Sequence, residues 1–168
     1  MAKVWPLFGL VFAFASNATE VQLGDWKYYT VAPFYATTVN ESGGLFGQRC
    51  NVDEGSCNYI MVMSEPCERD DRIPVIVNSV KSFVSTTLQC VGPLTEGKYI
   101  YNVGDFADVD SMVREAPRIA LAFPSEGDSF KVVRFSMRGA IGSLDRMRAA
   151  AEKALDEVSK QPTRDLRL

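Results

Sequence analysis

Four cysteines between residues 50 and 90 constrain the fold of this chain more than any other feature. They are Cys50, Cys57, Cys67 and Cys90, and the sequence has no other cysteine. Their spacing contains no Cys-x-x-Cys pair and the chain has no histidine, so a zinc site is disfavoured. An even number of cysteines favours disulfides when a protein enters an oxidising compartment. The pattern predicts a domain with two disulfides if the chain is exported.

The first 18 residues have the order of a secretory signal peptide. Lys3 precedes an apolar run at 4–15, and small residues follow it. Cleavage after Ala15 and cleavage after Ala18 both fit this pattern. The apolar run is shorter than the roughly 20 residues that a membrane-spanning helix needs. We therefore expect a periplasmic or secreted protein with no membrane span once residues 1–18 are removed.

Four cysteines allow three pairings. Cys50 and Cys57 flank one predicted turn, so they can face each other at the mouth of a hairpin. In the next predicted hairpin, Cys90 lies opposite the residues that lead into the strand at Ile73. It is therefore within reach of the loop that carries Cys67. This geometry favours Cys50–Cys57 together with Cys67–Cys90.

Segments rich in β-branched and aromatic residues predict an antiparallel sheet. Proline cannot donate a ladder hydrogen bond, so Pro33 predicts an edge strand or a break between two strands. Pro74 likewise predicts an edge, or a strand that begins there. The predicted strands lie at 26–38, 45–50, 57–63, 73–79, 85–91, 99–102, 118–123 and 130–138.

Two helices complete the prediction. Three- and four-residue spacing of apolar residues predicts a helix of about ten residues that begins at Asp105, whose side chain can cap it, and ends before Pro117. A second helix is predicted at 140–159, with Arg148/Glu152 and Lys153/Glu157 on its outer side. Its predicted apolar face consists of Ile141, Leu144, Met147, Ala151, Leu155 and Val158.

These elements predict a mainly β (α+β) fold. We expect one disulfide-stapled domain at 19–160 with an antiparallel, β-sandwich-like sheet system, one short helix and a C-terminal helix packed on the sheet. The polar residues 161–168 are expected to form a flexible tail.

Charge and residue types exclude several functions. The net charge is −3, the pI is about 5.1 and no basic stripe is present, so nucleic-acid binding is disfavoured. Without histidine, neither a Ser-His-Asp nor a Cys-His catalytic set can form. The adjacent carboxylates Asp53/Glu54 and Asp70/Asp71 remain a route to catalysis, although loop neighbours normally face water. We expect no enzyme, no cofactor and no metal, with a carboxylate-based hydrolase of glycans or envelope material as the alternative.

Two groups of side chains have two interpretations each. Five scattered methionines are better explained as core residues than as copper ligands. They are Met61, Met63, Met112, Met137 and Met147. A run of aromatic residues suits either a sheet core or a surface that contacts a partner. This candidate surface consists of Trp26, Tyr28, Tyr29, Phe34 and Tyr35.

The C-terminal half carries a resemblance to a known family. The segment RIALAFPSEGDSFKVVRFSMRGAIGSLDRM, preceded by a cysteine-bearing strand and a short helix, resembles the end of the invasion-associated locus B family. The matching residues run from Ser136 to Ala140, and Ala140 stands after Gly139 where the family prefers an aromatic residue. The resemblance implies an exported bacterial protein with a β-sandwich-like domain, linked by name to host-cell invasion. No functional residue is carried over, and the expected role is binding an unidentified protein or envelope component.

Overall fold

The computed structural model describes residues 20–125 and 129–160. The predicted signal peptide at 1–18 and the predicted tail at 161–168 lie outside this part of the chain. Within it, the predicted strands and both helices occur in the predicted order, and one strand that was not predicted, β1, precedes them. The elements are β1 (Glu20–Leu23), β2 (Trp26–Tyr29), β3 (Phe34–Val39), β4 (Leu45–Asn51), β5 (Ser56–Met63), β6 (Arg72–Ser79), β7 (Phe83–Thr95), β8 (Lys98–Val103), α1 (Phe106–Glu115), β9 (Arg118–Ser125), β10 (Ser129–Ser136) and α2 (Ala140–Ser159).

All described strands belong to one antiparallel sheet, which confirms the predicted mainly β fold class. Their order is β1-β2-β3-β4-β5-β8-β7-β6-β9-β10. β5 lies in the middle of this order, and both of its faces are apolar. Its Tyr59, Met61 and Met63 enter the main core, whereas Ile60 and Val62 pack in a second cluster on the opposite face.

The sheet folds over itself, so that its two halves enclose the main core. Phe46 of β4 lies 5.4 Å from Phe135 of β10, centroid to centroid, although six positions separate these strands in the sheet order. Phe46 also stacks on Tyr59 at 5.5 Å and meets the edge of Trp26 at 6.4 Å. Aromatic contacts of this kind combine a large buried area with favourable ring geometry. The arrangement agrees with the expected sandwich-like sheet system.

Hydrogen bonds and a close backbone contact join the two ends of the folded sheet. Asp25 N–H donates to Arg138 C=O at 2.8 Å, and Trp26 Nε1–H donates to Ser136 C=O at 2.9 Å. Gly139 has φ +92° and lies so close to β1 that an added Cβ would be 1.8 Å from Leu23 O. Only glycine combines this left-handed conformation with the close approach.

Both disulfides have the predicted partners. Cys50 and Cys57 are directly opposite each other in the β4–β5 register, with Cα atoms 4.0 Å apart. Cys67, in the loop before β6, is bonded to Cys90 of β7 with a Cα separation of 6.1 Å. Such paired cysteines are typical of proteins in oxidising compartments.

Two strand predictions need correction. β6 is an interior strand, because its C-terminal half pairs with β9 while β7 pairs along its other side. Pro74 is tolerated because it lies in the part of β6 that pairs with β7 alone. The strand predicted at 85–91 is longer, because β7 continues past Gly92 and Pro93 to Thr95 through register shifts. Glycine at a bulge, here with φ +132°, lets the strand bend and resume pairing.

The helices have the predicted positions, but two details differ. Asp105 occupies the N-cap position of α1 in the left-handed conformation, and its side chain makes no capping hydrogen bond. Of the predicted apolar face of α2, Leu144 and Met147 are fully buried and Ala151 nearly so, whereas Ile141, Leu155 and Val158 are 46%, 37% and 55% exposed. α2 packs on β1 to β4. The buried residues of α2 lie between Ala140 and Ala151, so its last two turns are less covered by the sheet.

The five methionines occupy the core, as the preferred interpretation holds. Their flexible side chains fill gaps between unlike elements. Neither described helix combines the length and apolar character needed to cross a membrane.

Candidate binding site

The aromatic residues of β2 and β3 do not form one partner surface. Trp26, Tyr28 and Phe34 are buried in the main core, because side chains alternate along each strand and these three point inward. Tyr29 and Tyr35 lie at outward positions, and Tyr29 donates its hydroxyl to Glu20. The surface interpretation is therefore wrong for the three buried residues.

The adjacent carboxylates noted in the sequence are exposed in loops. Asp53 and Glu54 lie in the β4–β5 turn. Asp71 accepts a hydrogen bond from Glu68 N at 2.9 Å, and Asp70 accepts one from Gln89 Nε2 at 3.2 Å. These contacts hold the loop in shape. Across 20–125 and 129–160, no three cysteine, aspartate or glutamate side chains are grouped so that they could hold a metal ion.

A half-buried carboxylate network links the sheet to both helices. Asp110 of α1 accepts hydrogen bonds from Tyr59 Oη at 2.7 Å and from Arg114 Nε at 2.9 Å. Arg148 of α2 donates to both oxygens of the same carboxylate. The Asp110 side chain is only 18% exposed. A single carboxylate thus joins β5, α1 and α2.

Arg148 extends this Asp110 network to β4. Its Nε donates to Gln48 Oε1 of β4 at 2.7 Å, and its guanidinium carbon lies 5.5 Å from the Phe106 ring centre. A planar guanidinium suits such a site, because it can bond a carboxylate with two nitrogens and stack on a ring. Arg148 therefore faces inward, and the predicted outer pair with Glu152 is wrong. The other predicted pair is present, with Lys153 Nζ 4.0 Å from Glu157.

Burial and hydrogen bonding set the ionisation states in the network. Burial would raise the pKa of Asp110, but hydrogen bonds from Arg148, Tyr59 and Arg114 outweigh it and lower the pKa to about 2. Burial, followed by the hydrogen bond to Asp110, raises the pKa of the Tyr59 hydroxyl far above its usual range. At neutral pH Asp110 is ionised and Tyr59 is neutral. Neither pKa is near the working range of a general acid or base, so the network suits positioning.

An apolar cavity lies beside the Asp110 network, between the β4–β5 hairpin and α2. Its volume is about 170 Å³. The Cys50–Cys57 disulfide and Val52 line the hairpin side, and Leu155 lines the helix side. Leu155 approaches the turn closely, since a Cβ on Gly55 would be 3.7 Å from its Cδ2. The partial exposure of Leu155 is thus explained by its place in the cavity wall.

The rim of this cavity is polar. Arg148 and Glu152 supply its polar groups, and the Phe106 ring lies beside them. A guanidinium has five N–H donors, and Arg148 uses three of them for Asp110 and Gln48. The site can therefore hold the apolar part of a small ligand and offer a hydrogen-bond donor to a polar part of the same ligand. An apolar pocket with a few polar groups is the usual form of a small-ligand site.

The sequence analysis named residues of both cavity walls, the cysteines and the apolar residues of α2, but it missed the Asp110 network beside them. The cysteines were identified, but Asp110, Arg114 and Tyr59 were not. Asp110 and Arg114 have the i, i+4 spacing of a helical ion pair, and Asp110 follows the buried Val109. That spacing was the available signal. It does not reveal that Arg148, 38 residues away, completes the network.

Comparison with known proteins supports the fold. No family model matches the chain, and no curated protein matches it either. Among solved structures, invasion-associated protein B from Bartonella henselae is similar, with a TM-score of 0.57 and 14% sequence identity. The match covers 80% of this chain and 99% of that one. The chain therefore shares its fold with that protein, in line with the resemblance noted in the C-terminal half.

Proposed function

We propose that this chain is a non-catalytic binding protein of the periplasm or the extracellular space, and that the cavity beside the Asp110 network is its ligand site. The observation that carries the proposal is a preformed apolar cavity of about 170 Å³ with a polar rim. The two disulfides and the signal-like first 18 residues support the compartment.

The walls of the cavity are held in place before any ligand binds. The Cys50–Cys57 bond fixes the hairpin, and the ion pair between Arg148 and Asp110 fixes α2 relative to α1 and β5. Preorganisation of this kind favours binding, because little conformational freedom is lost when the ligand enters.

The cavity size indicates the class of ligand. An engineered protein cavity of about 150 Å³ lined by apolar side chains binds benzene. The present cavity is of similar volume and adds Arg148 at its rim. Its expected ligand is a ring-sized apolar group with an anionic or hydrogen-bond-accepting end, either free or as a side chain of a larger partner.

An accessory role in host contact is the biological setting that we propose. The similar solved structure is that of a protein described as invasion-associated. The shared fold and the expected export of this chain support the same setting, with an envelope or host component as the partner.

Fluorine NMR with 4-fluorobenzoate and 4-fluorotoluene tests the cavity. Ala151→Leu fills the cavity from its helix side, and Ala149→Leu makes the same change at an exposed position of α2. We expect line broadening of both probes with the wild type and with Ala149→Leu, and none with Ala151→Leu. Equal broadening with both variants would place the binding elsewhere.

Catalysis is tested separately with a chromogenic glycan and with soluble peptidoglycan. We expect no turnover. Turnover that is lost in Asp53→Asn or Glu54→Gln would show that the carboxylate-based hydrolase is the correct alternative.

A further inference from the structure

The free edge of β10 presents backbone groups that point away from the sheet. Among the described strands, β10 is the last in the order and pairs only with β9. Met137 N–H donates to Pro117 C=O, and these residues are opposite each other when the β9–β10 register is extended by one pair. Met137 therefore belongs to a hydrogen-bonded pair. Because such pairs alternate along an antiparallel ladder, Val133 and Phe135 direct their backbone groups to β9.

The intervening residues Val132, Arg134 and Ser136 direct their backbone N–H and C=O groups away from β9. The contact of Ser136 C=O with Trp26 agrees with this assignment. Within the described ranges, the outward N–H and C=O groups of Val132 and Arg134 have no hydrogen-bond partner. In an extended peptide, every second residue points its N–H and C=O groups to the same side, so such a peptide can pair with Val132 and Arg134.

A groove runs along this edge and leaves room for such a peptide. Its volume is about 760 Å³, within the range of about 300 to 1,000 Å³ common for ligand clefts. One wall is β10, and the other is formed by 39–42 at the β3–β4 turn together with Gln22 and Asp25. Within this wall, Asp25 is hydrogen-bonded and ion-paired to Arg138, the second residue after β10.

Side chains on the outer face of β10 indicate the chemistry of the peptide. Phe130 and Val132 are 70% and 42% exposed, and Arg134 follows two residues later on the same face. Arg118 pairs with Ser136 in the register, so it is the diagonal neighbour of Arg134 on that face. Neither Arg118 nor Arg134 has an ion pair within the described residues, whereas Lys131 is paired with Glu65. The edge is thus apolar at one end and basic at the other.

We propose that β10 binds an extended peptide segment of a partner protein by strand addition, with an apolar residue of the peptide beside Val132 and an acidic residue beside Arg134. A second copy of this chain fits less well. Two-fold pairing of β10 with itself would place the Arg134 side chains of both copies on one face, where like charges oppose pairing. This edge is separate from the cavity beside the Asp110 network and does not depend on it.

Capped peptides as long as β10, with alternating threonine and valine, serve as probes. They carry glutamate, glutamine or lysine at the position beside Arg134. Nitrogen-15 NMR with amide exchange measures affinity and identifies the protected amides. We expect slowed exchange at Val132 and Arg134, and affinity about 1.5- to 5-fold higher for the glutamate than for the glutamine peptide, with lysine weakest.

Val132→Pro removes the outward N–H and leaves the β9 ladder intact, since edge positions accept proline. Val132→Thr is the matched control, because it changes the same side chain and keeps the N–H. We expect binding to be lost in the first variant and retained in the second. Unchanged binding by Val132→Pro, or protection at another surface, would overturn strand addition. Dimers in sedimentation with the same amides protected would assign the edge to a second copy and overturn the proposed partner.

Discussion

Asp110 shows how one side chain can organise several elements. Its carboxylate accepts hydrogen bonds from Tyr59, Arg114 and Arg148, which belong to three different elements. Removing one partner of a buried ion pair leaves the other charges without compensation, and this costs more than the pair itself contributes. The position of α2, and with it the cavity wall, depends on this residue.

We expect Asp110→Asn to lower the free energy of unfolding by about 3 kcal/mol at neutral pH, because Arg148 and Arg114 lose their shared anion. Urea denaturation measures the change. Asp145→Asn is the control, since Asp145 also pairs with Arg114 but is 53% exposed. We expect it to cost less than about 1 kcal/mol. Equal losses in the two variants would contradict a special role for Asp110.

The pH dependence of this residue has a defined direction. The folded-state pKa of Asp110 is lowered from 3.8 to about 2, so the folded state prefers the ionised carboxylate. Its contribution is present above the unfolded-state pKa and is lost as pH falls through the folded-state pKa. The stability difference between wild type and Asp110→Asn should be constant above about pH 5 and shrink between about pH 4 and pH 2. Denaturant titrations at several pH values measure it, and a difference that grows toward low pH would contradict the assignment.

At the scale of elements, the two ends of α2 have different roles. The first turns are docked in the core through Leu144 and Met147, which are fully buried. The last turns border the cavity and are partly exposed at Leu155 and Val158. The helix is predicted correctly from its period, but the depth of each apolar residue depends on how far the sheet extends beneath it.

Leu144→Ala should therefore cost more than Leu155→Ala. We expect about 3 kcal/mol for the first, because it leaves a cavity in a fully buried site, and about 1 kcal/mol for the second. Asp156→Ala, on the exposed side of α2, should change stability by less than about 0.5 kcal/mol. Urea denaturation ranks the three. A larger loss for Leu155→Ala than for Leu144→Ala would mean that the C-terminal turns carry the docking.

The junction of β1 with the start of α2 gives a second prediction at this scale. Gly139→Ala would bring a Cβ to 1.8 Å from Leu23 O, in a left-handed conformation. We expect a loss of more than about 3 kcal/mol in thermal unfolding, since the backbones must separate. Gly97→Ala is the control, because Gly97 also has positive φ (+70°) but nothing lies within 4 Å of an added Cβ. Gly97→Ala should cost about 1 to 2 kcal/mol, which is the cost of the left-handed backbone conformation for a residue with a Cβ.

At the scale of the whole molecule, a single antiparallel sheet folds over itself and two disulfides bridge its central strands. Both bridges lie among β4, β5, β7 and the loop before β6, in the middle of the sheet order. The sheet ends are joined instead by backbone and side-chain contacts between β10 and the β1–β2 turn. Covalent bonds thus secure the centre, and packing closes the ends.

The disulfides should contribute unequally. Cys67–Cys90 joins residues 23 apart in sequence, and Cys50–Cys57 residues 7 apart. The chain-entropy model gives about 3 kcal/mol for the longer loop and about 2 for the shorter. We expect the Cys67→Ser/Cys90→Ser double variant to melt at a lower temperature than Cys50→Ser/Cys57→Ser. The reverse order in calorimetry would contradict the loop-length argument.

The sequence by itself determined the order and type of the elements after β1, because periodicity and turn residues are local signals. It also led to the correct cysteine partners, since Cys50 and Cys57 flank one turn and the approach to Ile73 brings Cys67 near Cys90. β1 was missed, since a four-residue strand carries little periodic signal. The fold class followed from these local patterns.

The tertiary structure alone decided which faces are covered and which distant residues meet. Arg148 and Glu152 have the spacing of a surface pair, yet Arg148 points inward because it donates hydrogen bonds to Asp110 and Gln48. Trp26, Tyr28 and Phe34 have the composition of a binding surface, yet the folding of the sheet encloses them. Both outcomes depend on contacts between residues far apart in the chain. Local sequence pattern carries no information on such contacts, and the candidate cavity and the free edge of β10 therefore became visible only in the folded molecule.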